Sequence, residues 1–213
     1  VALKVVSGDD PLVTAKLCSD IGMSIMGGKV ATGAMLSRMK PEELLRAVEK
    51  YNVFARVTPD QKLRIVEGLR QNGHVVGFMG DGINDAPALR TADVGISVDS
   101  AADVAKEASH IILLRKSLNV VADGVEEGRK IFGNITKYIL YTMSANNGNM
   151  VTVALSSFFL PFIPMLPAQI LLNNLLSDVP MLSIAKDNVD EHYKKKPQKW
   201  DSGMIMKFII FFG

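Results

Sequence analysis

A single cysteine, Cys18, stands among the 213 residues, so no internal disulfide can brace this fold. That scarcity suits a reducing compartment. A charge imbalance is also missing: 24 Lys and Arg face 22 Asp and Glu, for a net +2. Such a balance argues neither for nor against a nucleic acid, and no nucleic-acid partner is expected. The most informative absence is local. Between Tyr138 and Ala185, 48 positions, Asp178 is the only charged residue. That is too long for one core helix and long enough for two bilayer crossings of about 20 residues each. An initiator Met and a signal peptide are lacking as well, because Val1 opens inside a strand-like run. Residues 204–213 are mostly apolar but reach only about half the length of a span. The chain is therefore expected to be a fragment of a longer protein. No internal repeat or low-complexity segment occurs.

Up to residue 118 short apolar runs alternate with amphipathic ones. Strands are expected at residues 2–6, 53–57, 74–79, 94–98 and 110–114. Helices are expected at 11–22, opened by Pro11 and ended by Gly22, and at 41–50, 59–69, 84–92 and 101–108. Residues 29–36 are ambiguous. This order predicts an α/β, Rossmann-like fold: a mostly parallel sheet with helices on both faces. In such sheets ligands sit at the carboxyl ends of the strands.

Residues 119–137 read as a charged helix that runs without a break into the apolar stretch, a stiff stalk between a domain and a membrane. Residues 138–185 are expected to hold two transmembrane helices, with an outward turn near 160–167 that carries three prolines. Residues 186–202 form a polar loop holding Lys194, Lys195, Lys196 and Lys199, and 203–213 begin a third span. Lysines beside a span favour the cytoplasmic side. The soluble domain and this loop would then share the cytoplasm, in a multi-pass protein of the cell (plasma or inner) membrane with the lipid bilayer as partner.

Three short elements fall at element boundaries: Ser7-Gly8-Asp9, Thr58-Pro59-Asp60-Gln61-Lys62 and Gly80-Asp81-Gly82-Ile83-Asn84-Asp85. Singly, each has a plain structural explanation. A Gly-Asp-Gly run makes a tight turn, Lys62 a solvated charge, and Ser7 a helix cap. Together they suit phosphoryl transfer, which needs a metal, a fixed cation and donors around the transferred group. Asp81 and Asp85 can hold a hard cation such as Mg²⁺. Gly80 and Gly82 let the backbone approach a phosphate, Lys62 supplies positive charge and Ser7 a hydroxyl.

In their order, SGDD, TPDQK and GDGINDAPAL resemble the signature motifs of P-type ATPases within the haloacid dehalogenase superfamily, written there TGDN, TPxxK and GDGxNDxPAL. The resemblance is most specific from Arg56 to Leu89 and continues through the apolar stretch. It implies that Asp81 binds catalytic Mg²⁺, that Asp85 supports the site, and that Ser7 and Lys62 contact the phosphoryl group. Gly8, Gly82 and Asn84 complete the implied phosphate site, with ATP as the substrate of the intact protein. Ser7 replaces the usual Thr but keeps the hydroxyl, and Asp10 replaces the usual Asn. The family's nucleophile, the first Asp of DKTGT, has no counterpart in these residues, and the nucleotide-binding insertion is missing too. The chain alone is expected to be inactive.

Polar side chains inside a span point to a site, although Ser and Asn also serve as glue between helices. Ser144, Asn146, Asn147 and Asn149 lie in the first apolar segment; Asn173, Asn174, Ser177 and Asp178 lie in the second, before Pro180. Asn174 and Asp178 share a helix face. In family terms, Asn146, Asn149, Asn174 and Asp178 look like the transported-ion site. One carboxylate among amides suits Mg²⁺, which keeps its water, better than a stripped Ca²⁺. The run FFLPFIPMLPAQILLNNLLSD, followed by DNVDE and KPQKW, resembles bacterial magnesium-transporting P-type ATPases. The alternatives are a calcium or other cation pump, an inactive fragment that only binds Mg²⁺ or phosphate, and a soluble phosphatase of the dehalogenase superfamily.

Overall fold

Aliphatic and β-branched runs of two to five residues, each followed by a helix-start signal, write an alternating pattern through the first half of the chain. The computed structural model describes residues 1–115 and 117–213 and turns that pattern into six strands. They are β1 (Val5–Val6), β2 (Ala31–Thr32), β3 (Val53–Ala55), β4 (Gly77–Met79), β5 (Val94–Val98) and β6 (Ile111–Leu113). Helices α1 (Pro11–Asp20), α2 (Gly33–Ser37), α3 (Pro41–Lys50), α4 (Pro59–Gln71), α5 (Ala86–Thr91) and α6 (Asp103–Ala108) alternate with them. All pairings are parallel. The expected single sheet is corrected to two three-stranded ones, ordered β1-β3-β2 and β4-β5-β6. β1 pairs only with β3 and β4 only with β5, so no ladder joins the sheets among the described residues.

Residues 29–36, ambiguous by pattern, become the short β2 and then α2. Thr32 caps α2 by accepting the Met35 amide at 3.4 Å. β3 stops two residues before the expected end at residue 57, where Arg56 turns into the left-handed region, with φ 50°. Around β3 lies the main core. Phe54 and Val48 are fully enclosed, with Leu36, Leu44, Tyr51 and Ile65 beside them. Leu89 of α5, Ala105 of α6 and Val98 of β5 are buried as well.

The chain divides into two compact units, Val1–Lys116 and Ser117–Gly213. In the second, the uninterrupted pattern becomes one 42-residue helix, α7 (Leu118–Phe159), capped by Ser117. α8 (Pro167–Met181) follows a coil and passes into a 3₁₀ turn at Leu182–Lys186. The polar loop contains a short helix, α9 (Glu191–Lys195), and α10 is Ser202–Phe212.

Among the described residues no helix is long and apolar enough to cross a membrane. For residues 138–185 the reasons differ by helix. α7 is long, but Ser144, Asn146, Asn147 and Asn149 dilute its apolar half. α8 has 15 residues, about 22 Å of helix against a hydrocarbon layer of about 30 Å.

The segment after α8 is strapped onto α7. Lys137 Nζ donates to Asp187 Oδ2 at 2.7 Å, and Asn134 Nδ2 donates to the Asp187 carbonyl at 3.1 Å. Arg129 reaches the Lys194 carbonyl at 2.8 Å, and Phe132 packs tilted against Trp200 with ring centroids 4.8 Å apart. Val189, 3% exposed, fits over Gly133, where a Cβ would lie 2.6 Å from Val189 Cγ1. A β-branched side chain cannot swing aside. Gly133→Ala is therefore expected to lift the strap and to speed proteolytic cleavage within residues 187–200, while the helix content by circular dichroism holds. The hydrogen bond and charge of Lys137 hold the Asp187 carboxyl below the usual carboxylate range. Its contribution is present above about pH 4 and fades as the pH falls through the depressed value.

Candidate active site

Three turns, each at the carboxyl end of a strand, converge in the first unit. The β1 turn carries Ser7, Gly8 and Asp9. Ser7 Oγ donates to Asp9 Oδ2 at 2.8 Å and accepts the Asp9 amide at 3.1 Å. This turn is stitched to the end of β3, because the Val57 amide donates to the Ser7 carbonyl and the Arg56 amide to the Asp9 carbonyl. The β3 end leads straight into α4 and Lys62.

α4 starts where it does because Thr58 and Gln61 cap each other: the Thr58 amide donates to Gln61 Oε1 at 3.0 Å and the Gln61 amide to Thr58 Oγ1 at 3.4 Å. Gln61 is itself buried, and its Nε2 donates to the Gly33 carbonyl and to Ser37 Oγ. The first turn of α4 is thus pinned from two sides.

Lys62 Nζ then donates to Asp85 Oδ1 at 2.7 Å, with side chains only 16% and 10% exposed. The other Asp85 oxygen accepts the Gly82 amide at 3.2 Å. Asp85 has both oxygens engaged and acts here as the anchor of Lys62 and of the β4 turn. Gly80 is required by this packing, since a Cβ there would sit 2.6 Å from Asp85 Cβ. Gly82 is not: its φ is −96° and its nearest neighbours lie at ordinary contact distance. Asp81 and Asn84 face solvent at the mouth of the turn, and the Asp81 carbonyl accepts the Ala102 amide.

The structure therefore brings Ser7, Gly8, Lys62, Asp81, Gly82, Asn84 and Asp85 onto three connected turns. Sequence reasoning missed Gln61 and the fully buried Ser97, whose Oγ donates to the Gly80 carbonyl at 2.9 Å. The Thr-x-x-Gln spacing was a usable signal for Gln61. Nothing in the pattern of β5 marked Ser97.

Among the described residues no three His, Cys, Asp or Glu side chains gather to hold a metal. Mg²⁺ does not demand such a cage, since it keeps several waters and takes one or two carboxylates with substrate phosphate. The exposed Asp81 carboxylate at the strand end fits that mode.

The second unit places its candidates less closely. Asn146 is exposed and Asn149 half-buried on α7; Asn174 is half-buried and Asp178 exposed on α8. Asn174 and Asp178 do lie one turn apart. The well-packed partners of α7 are α10, α9 and the Leu182–Lys186 turn; α8 is not among them for the described residues.

Residues 2–93 match the haloacid dehalogenase-like hydrolases. Over all 213 residues the chain is 52% identical to the magnesium-transporting ATPase, P-type 1, of Salmonella typhimurium, covering 23% of that protein. It is 50% identical over the same length to the protein of that name from Escherichia coli K12, covering 24% of it. A calcium-transporting ATPase of Bacillus subtilis is 35% identical over 205 residues, 95% of this chain and 23% of that one. The chain thus spans about a quarter of the length of these relatives.

Gly80→Ala is expected to force Asp85 off Lys62, at about 2 kcal/mol or more of stability. Gly82→Ala should be nearly silent. Thermal unfolding of the two variants checks the pair, and equal midpoints would contradict this packing.

Proposed function

Since residues 2–93 are a haloacid dehalogenase-like hydrolase domain within a chain akin throughout to P-type ATPases, we propose that the chain is the phosphoryl-transfer and membrane-entry portion of an ATP-driven cation pump. The observation that carries this reading is the 2.7 Å pair between Lys62 and Asp85, which seats a fixed cation over the Gly-Asp-Gly turn. Lys62 would neutralise oxygens of the transferred group, and Ser7 would donate its hydroxyl to one of them after turning from Asp9. The amides of Gly8, Gly82 and Asn84 would supply further donors. Asp81, with Asp85 in support, would hold catalytic Mg²⁺, which lowers the charge of the phosphoryl oxygens when bound. The aspartyl nucleophile and the ATP-binding insertion would come from a DKTGT-bearing part of the pump outside these residues.

In this reading the apolar half of α7 and α8 insert in the bilayer beside neighbouring helices, with the first unit on the cytoplasmic side. The transported cation is Mg²⁺, bound by Asp178 with the amide oxygens of Asn146, Asn149 and Asn174. Two observations favour Mg²⁺ over Ca²⁺: the greater identity to magnesium-transporting relatives and the single carboxylate in this stretch. Helix packing alone would not need that charge.

In the full-length pump, Asp81→Asn is expected to abolish Mg²⁺-dependent ATP hydrolysis, and Lys62→Ala to weaken it strongly. Near-normal turnover of the Asp81 variant would overturn the site. The 213 residues alone should show no ATPase activity above background.

Asp178→Asn is expected to abolish ion-stimulated ATPase with the fold intact, and Asn149→Glu to tilt the preference toward Ca²⁺. Assays across Mg²⁺ and Ca²⁺ series check both. An unchanged ion affinity in the Asp178 variant would place the cation elsewhere.

A further inference from the structure

Ser97 is a wholly enclosed polar side chain in the middle strand of the β4-β5-β6 sheet. Burying a hydroxyl costs free energy unless it is bonded, and an Ala would fill a strand interior without that cost. The bond that Ser97 makes runs out of its own strand: Oγ donates to the Gly80 carbonyl at 2.9 Å.

β5 gives that bond a rigid base. It is paired on both edges, with Gly77, Phe78 and Met79 of β4 opposite Val94, Gly95 and Ile96, and with β6 opposite Ile96, Ser97 and Val98. It also sits hard against α5, since a Cβ on Gly95 would lie 2.4 Å from the Leu89 carbonyl oxygen. A hydroxyl on such a strand has little room to drift.

The last β4–β5 pair is Met79 with Ile96, and the Gly-Asp-Gly turn begins at the next residue. The Gly80 amide donates to the Ile96 carbonyl at 3.1 Å, so both backbone polar groups of Gly80 are tied to β5. Glycine is the residue least able to hold its own backbone direction, and an outside donor supplies what it lacks. The Gly80 carbonyl and the Asp81 amide share one planar trans peptide and point opposite ways. Ser97 therefore fixes the direction in which the chain enters Asp81. On the far side, the Asp81 carbonyl accepts the Ala102 amide at 3.1 Å. The exposed Asp81 thus stands on a backbone held before and after it.

We propose that Ser97 is a positioning residue for the metal-binding carboxylate: its hydroxyl holds the Gly80–Asp81 peptide so that Asp81 presents its side chain to Mg²⁺. This rests on the phosphoryl-transfer reading given above. Enclosed behind the turn, Ser97 acts through Asp81 and not on the substrate.

The test compares Ser97→Ala with Val48→Ala in the full-length pump. Val48 is equally enclosed but belongs to the core around β3, so it controls for lost stability alone. The quantity read is the Mg²⁺ concentration at which orthovanadate, a mimic of the transferred group, half-maximally protects the pump from trypsin. Ser97→Ala is expected to raise that concentration about fivefold, the scale of one hydrogen bond's net contribution. At saturating Mg²⁺ the extent of protection should match the parent. Val48→Ala should lower the thermal midpoint and leave the Mg²⁺ requirement where it was.

An unchanged Mg²⁺ requirement in Ser97→Ala would overturn the proposal. So would an equal shift in Val48→Ala, or a Ser97→Ala pump that does not fold, since either marks the hydroxyl as a support of the fold alone. Asp81→Asn separates this role from the reading beneath it. If Asp81→Asn keeps the parent's ATP turnover, the phosphoryl-transfer reading itself fails; if it abolishes turnover while Ser97→Ala leaves the Mg²⁺ requirement flat, only the positioning role fails.

Discussion

The contact between Lys62 and Asp85 is the constraint on which the rest of the first unit depends. Two nearly enclosed charges are tolerated only if each finds its partners, and both do. Lys62 has the carboxylate, and the carboxylate has Lys62 on one oxygen and the Gly82 amide on the other. From that pair the surroundings follow. Residue 80 must lack a side chain because Asp85 fills the space. The Gly80 carbonyl is held by Ser97 from the neighbouring strand. The first turn of α4 must not slide, and Thr58 and Gln61 prevent it. Removing either charge would leave the other in a poorly solvated pocket, so the pair is coupled to the stability of the fold as well as to its chemistry.

The parts of this arrangement that were legible in the sequence are those governed by short-range rules. Pro41–Lys50 and Val94–Val98 coincide with their elements because one has a helical apolar face and the other carries β-branched residues at alternate positions. The three motif segments fall at strand ends, as an α/β pattern requires. Less legible were features decided by contacts distant in sequence. Nothing local says that β3 must end at Ala55; the left-handed turn at Arg56 depends on Asp9, Asp10 and Gly33, 23 or more residues away. The split into two sheets was hidden for the same reason, since pattern gives strands but not which edges meet. A carboxylate four residues from Asp81 suggests a metal ligand in the sequence; the engagement of the Asp85 oxygens by Lys62 and the Gly82 amide was not legible there.

In the second unit, a loop judged only by its lysines proved to be built around apolar contacts. Val189 over Gly133 and Trp200 against Phe132 hold the chain after α8 to the charged half of α7. A displacement of that half of α7 would therefore pull directly on the segment that follows Asp178. In the pump proposed above, such a linkage would carry a displacement of α7 to the segment after the proposed cation ligand without a change in α8 itself.

The residues that make α7 interesting are also those that hide its character. Asn146, Asn147 and Asn149 lower its hydropathy, and Thr142 Oγ1 and Ser144 Oγ are buried with no hydrogen-bond partner among the described residues. An unpaired buried hydroxyl costs about 1–3 kcal/mol. Simple packing would be served as well by Ala or Leu. The amides and hydroxyls of α7 lower its mean hydropathy wherever the helix lies. In the pump proposed above, those same amides and hydroxyls are the oxygens offered to the cation, so the groups that make α7 less apolar are the ones the proposal uses.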